Sequence, residues 1–135
     1  MDWKACVDSG MAKRITPDKE MVAALLITAD KRMKSVDMLK TNSVTANSKV
    51  SLAYDALREV LEALAIKYGY KIYNHECYTC FLKEVLRQNQ IAEEFDIFRK
   101  ARNRINYYGN ELSIEEADIL IRKIKDLNNI IVKLL

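Results

Sequence analysis

Glycine and proline are almost missing from this chain. It has three glycines and one proline in 135 residues. Folds built from many strands need frequent tight turns, and those turns draw on such residues. Their scarcity predicts an all-α architecture of long helices with few, short connections. The length suits one domain, enough to close a single hydrophobic core. Half of the residues are hydrophobic and 30% are charged, ordinary values for a globular bundle.

Helical periodicity and end signals divide the chain further. Residues 1–14 read as a short helix or loose arm around Trp3 and Val7. The first long helix is expected from Thr16-Pro17, with Thr16 as cap and Pro17 in the first turn. Val22, Leu25, Ala29, Met33 and Val36 then form its apolar stripe. A second helix is expected from about Lys49 to Tyr68, with Ala53, Leu57, Val60, Leu64 and Tyr68 inward and Gly69 as terminator. A shorter third follows Asn74. The fourth covers about Ile91 to Tyr108 and stops at Gly109. The last opens with a Ser113/Glu116 capping box. Its Ala117, Leu120, Ile124, Leu127, Ile131 and Leu134 are spaced by threes and fours, which suits a core face or a dimer seam. The expected fold is thus an up-and-down bundle of four to five helices in one domain, 1–135.

The net charge of +3 permits nucleic-acid binding without requiring it. No apolar run approaches the roughly 20 residues of a membrane helix, so no membrane association is expected. The opening MDWKACVDSG lacks the basic head and apolar stretch of a secretory leader. Three cysteines at uneven spacing suggest no disulfide framework, and a cytoplasmic location is the simplest expectation.

The segment RKARNRINYYG, residues 99–109, carries the functional information. Four of its first six residues are basic. On a helix, Ile91, Phe95, Phe98 and Ile105 share one face, and Arg102 falls within it. A guanidinium on an apolar stripe must find a carboxylate or face a groove open to an anion, because burying it unpaired is costly. Its planar fork suits phosphate. Asp96, Arg99, Asn103, Asn106 and Tyr107 fall on the neighbouring arc. Asparagines disfavour helix interiors, so this arc reads either as a binding face or as bonds that orient the bundle. His75, Cys77 and Cys80 lie close together and read as packing residues, with a metal site or an intersubunit disulfide as alternatives. The tyrosines at 68, 70, 73 and 78 read as helix-end packing, with base stacking as the alternative.

Arg102-Asn103, three residues and then an aromatic, late in the fourth helix, resembles the signature of the HEPN family. That signature is Arg, usually Asn, three variable residues and His. The run SLAYDALREVLEALA resembles the family's second helix, and the likeness extends over roughly residues 20–130. It implies a dimer that brings two motifs to one groove. Many members are metal-independent ribonucleases; others pair with minimal nucleotidyltransferases in toxin–antitoxin systems. By this resemblance Arg102 takes the phosphate, Asn103 orients it, and Arg99, Arg102 and Asn106 bind nucleotide or RNA, with no metal or cofactor.

The sequence departs from the family where it matters. Tyr107 stands in the histidine position, and a free tyrosine is ionised in roughly one molecule in a thousand at pH 7. Histidine exchanges protons near neutrality and tyrosine does not. Gly109 stands where some nucleotidyltransferase-paired members carry an AMP-accepting tyrosine. The expectation is therefore a dimeric partner or nucleotide-binding component of a minimal nucleotidyltransferase. The alternatives are a ribonuclease using Arg102, Asn103 and Tyr107, or a non-catalytic RNA binder.

Overall fold

The computed structural model describes residues 1–135 and is mostly helical, as the sequence predicts. Its order is α1 (Trp3–Asp8), β1 (Ala12–Arg14), α2 (Lys19–Met38), α3 (Ala46–Lys67), β2 (Tyr70–Ile72), α4 (His75–Cys80), α5 (Asn89–Tyr108) and α6 (Ile114–Val132). A π-helical turn, Phe81–Val85, continues α4. No helix is long and apolar enough to cross a membrane.

The bundle is organised around α3. Its middle is apolar on nearly every side, so it buries all round rather than along a stripe. Ala53, Tyr54, Leu57, Leu61, Leu64 and Ile66 are sealed from solvent. Burying each of the larger aliphatic side chains contributes roughly 1.5–3 kcal/mol. Helices α2 and α6 make the most extensive contacts with α3, while α5 meets α3, α4 and α6. Two charged residues of α3 are buried with partners: Lys49 donates to Thr41 Oγ1 at 2.8 Å, and Glu59 pairs with Arg32.

Helix ends follow local chemistry. Asp18, not Thr16, caps α2 by accepting from the Met21 amide at 3.1 Å, so the helix starts two residues later than expected. Asn74 caps α4 and the Ser113–Glu116 capping box opens α6. Gly109 ends α5 in the left-handed conformation, at φ 63°. Ala117, Ile124, Leu127 and Ile131 are buried against the core, which assigns the α6 stripe to the interior of one bundle.

The short helix expected around Trp3 and Val7 is present as α1, but two other features run against the sequence reading. After α1 comes β1, which pairs antiparallel with β2 in the register Ala12 to Ile72 and Arg14 to Tyr70. Strands of three residues are too short to show alternation, so periodicity did not reveal them. The expectation of no disulfide is also corrected. Cys6 and Cys77 form one, across 71 residues of sequence, with Cα atoms 6.0 Å apart. The ribbon folds α1 back onto α4, and uneven spacing along the chain says nothing about that approach. Cys80 stays a free, buried thiol.

Candidate functional site

The basic segment lies along α5 where that helix faces α3 and α4. Phe95 and Phe98 bury on one side and fix its rotation. Arg102, one turn beyond Phe98, is thereby carried to the edge of the core with its side chain 20% exposed. It meets both solutions considered for a guanidinium there. A terminal nitrogen reaches Asp55 of α3 at 3.5 Å, a long and weak contact. The guanidinium carbon lies 5.4 Å from the Tyr54 ring centroid, within cation–π range. Its Nε is buried and has no hydrogen-bond partner.

Beside Arg102 is a hollow of about 280 Å³. Arg99, Arg102, Asn103 and Tyr107 line one wall, and Tyr73, Asn74, His75 and Glu76 the other. Arg99 is steered there by Asp96, whose Oδ1 accepts from Arg99 Nε at 2.9 Å and from Thr79 Oγ1 at 3.2 Å. Partial burial works against the Asp96 carboxylate, but hydrogen bonds from Arg99 and Lys100 outweigh it and hold its pKa below the usual range. The last turn of α5 is tied to α3 through Asn47, which accepts from the Leu112 amide and donates to the Asn110 carbonyl, both at 3.0 Å.

Four of the five residues singled out from the sequence, Arg99, Arg102, Asn103 and Tyr107, converge on this hollow. Asn106 does not. It shares their arc of α5 but lines a separate shallow depression with Asn47, Ser51 and Asp55.

His75 is the residue that sequence reasoning set aside. As the first residue of α4 it is remote from the motif in sequence, yet its ring lines the hollow. Its Nδ1 lies 3.0 Å from the Tyr54 hydroxyl, and the Tyr54 ring stacks on Phe95 at 5.8 Å. Burial first, then the nearby Arg58 and Arg102, push the His75 pKa down to about 4, with Asp55 opposing weakly. The imidazole is therefore neutral at pH 7. Burial likewise raises the Tyr54 pKa, so its hydroxyl keeps its proton. The metal alternative for His75, Cys77 and Cys80 loses a ligand, since Cys77 is spent in the disulfide. No group of three or more His, Cys, Asp or Glu side chains is placed to hold a metal ion.

This arrangement presents two guanidinium groups, an amide and a neutral imidazole to one small space, with the Glu76 carboxylate on the facing wall; the donors outnumber the carboxylate and suit an anion. No protein-family model, curated protein or solved structure matches the chain.

Proposed function

We propose that this chain is a HEPN-like bundle that binds the phosphate of a nucleotide or RNA strand through Arg99 and Arg102. In this reading it acts as a dimer, as the partner or nucleotide-binding component of a minimal nucleotidyltransferase in a toxin–antitoxin-like pair. The observation that supports phosphate binding is the state of Arg102. Its unpartnered Nε is sealed from solvent, but its contact with Asp55 is weak and its partly exposed terminal nitrogens border a hollow already shared with Arg99 and Asn103. An arginine satisfied by a structural carboxylate has its fork occupied; this one has donors left for a ligand.

Titration of the purified protein with labelled nucleotide and single-stranded RNA at rising salt tests it. Binding that falls steeply with salt and is lost in Arg102→Ala is the expected result. Undiminished binding by that variant would remove the assignment. Light scattering reads the dimer, and co-expression with a neighbouring nucleotidyltransferase reads the partner.

His75 favours a second reading, a metal-independent ribonuclease. His75, on α4, lines the same hollow as Tyr107, which supports a role for it as the proton-exchanging group in this reading. A phosphate beside it raises its pKa by favouring the imidazolium, so a ring neutral in the free protein becomes a better proton acceptor once substrate binds. Chelator-resistant RNA cleavage, abolished in both Arg102→Ala and His75→Gln, is the expected result. Cleavage that survives His75→Gln removes His75 from that reading.

A further inference from the structure

The hollow has two rings at its margin that phosphate binding leaves unused. Tyr73 is 61% exposed and Tyr107 is 74% exposed, and both line it. Large aromatic side chains left in water at a site are candidates for contact with a ligand. They come from opposite walls. Tyr107 stands on the last turn of α5, and Tyr73 directly follows β2.

Neither ring hangs on a loose segment. The Tyr73 amide donates to the Met11 carbonyl at 2.7 Å, which continues the β1–β2 ribbon up to the hollow. Lys13 Nζ lies over one face of the Tyr73 ring, 5.8 Å from its centroid, so a base would stack on the other face. Tyr107 sits on the turn whose exit is clamped by Asn47. The hollow thus combines cationic donors with two positioned π-faces. Bare phosphate needs only the first; a nucleobase needs the second. Its volume is at the lower end for small-ligand sites, roughly 300 Å³, which suits the phosphate and leaves the bases to the rings at the margin.

We infer that Tyr73 and Tyr107 are stacking platforms for nucleobases flanking the phosphate held by Arg99 and Arg102, so that the ligand is single-stranded nucleic acid. Sequence selectivity is weak, because every base offers a π-face. This rests on the phosphate-binding reading above and adds the base contacts to it.

The test uses the full chain, a fluorescein-labelled oligoadenylate followed by anisotropy, and inorganic polyphosphate as a competitor without bases. Tyr73→Ala and Tyr107→Ala each weaken oligoadenylate binding about tenfold, while the corresponding Phe variants retain it. Both Ala variants weaken polyphosphate binding far less than oligoadenylate binding, and Arg102→Ala weakens both ligands. Melting curves verify that the variants fold. Wild-type oligoadenylate affinity in the Ala variants overturns the stacking assignment and leaves the phosphate site standing. So does equal loss in the Phe variants, which would put the contact in the hydroxyl rather than the ring. Failure of the wild-type protein to bind either ligand overturns both.

Discussion

The Tyr54 hydroxyl lies 3.0 Å from His75 Nδ1, and this one contact joins the buried centre of α3 to the first residue of α4. Tyr54 is fully enclosed by the core, so it gives the imidazole a rigid support rather than a surface neighbour. The same tyrosine ring carries the Arg102 guanidinium. Two side chains from different helices thereby owe their positions to one residue of the interior.

The depressed pKa of His75, caused chiefly by its burial, links the histidine to stability. In the unfolded chain the imidazole titrates near 6.5, and in the folded protein near 4. Between those values the unfolded state binds more protons, so stability is full above about pH 6.5 and declines as pH falls toward 4. Allowing for partial solvent screening, the loss is on the order of 1–2 kcal/mol. Urea melts across this range should show the decline in the wild type and a flatter profile in His75→Gln. An unchanged slope in the variant would assign the decline to other groups.

Arg102 separates charge from geometry. Arg102→Lys retains the cation but loses the planar fork, and RNA affinity should fall on the order of tenfold with the salt slope preserved. Arg102→Ala removes one phosphate contact, so the slope of log K against log salt should drop by about 1. Equal salt slopes for Lys and Ala would show that Arg102 does not neutralise a phosphate.

Gly69 limits how the ribbon meets α3. Its φ is +86°, and a Cβ there would approach the Ile15 carbonyl oxygen to 3.3 Å. Gly69 also accepts a hydrogen bond from the Ile15 amide at 2.9 Å. Gly69→Ala should cost about 1–3 kcal/mol through backbone strain, read as a lower denaturation midpoint. Amide exchange should quicken in β1 and β2 before it does in α6.

The cross-link between Cys6 and Cys77 makes a chemical prediction. The native protein should react with one equivalent of thiol reagent on denaturation, at Cys80, and with three after reduction. Cys6→Ser should lose roughly 2–4 kcal/mol of stability, and reductant should bring the wild type to the same melting point. Three reactive thiols without reductant would show that the bond does not form in solution.

How much of this was legible in the sequence depended on the range of each signal. Gly109, Asn74 and the Ser113–Glu116 box act on their own helix ends, and each was read in its place. The rotation of α5 was also legible, because Phe95 and Phe98 mark its inward face and so place Arg99, Arg102 and Asn103 together. Thr16 was a poorer guide than Asp18 because both residues can cap and only the backbone decides between them. The other wall of the hollow was not legible. Tyr73 reaches it at the end of the β1–β2 ribbon, a pairing between residues nearly 60 positions apart, and His75 through its contact with Tyr54; no local pattern encodes either. Tyr54 lies outside the apolar stripe read for its helix, so nothing in the sequence singled it out.

The sulfur–sulfur bond also changes what a protease can do to this molecule. Cys6 and Cys77 close residues 7–76 into a covalent ring that contains the whole of α2 and α3. A single cut at the exposed Ser43–Val44 turn opens the ring without releasing a fragment. Such nicked protein would migrate as one species on a denaturing gel until a reductant is added, and only then as two. The two halves would also stay at high effective concentration for each other, so a clipped chain has every opportunity to refold around the same core.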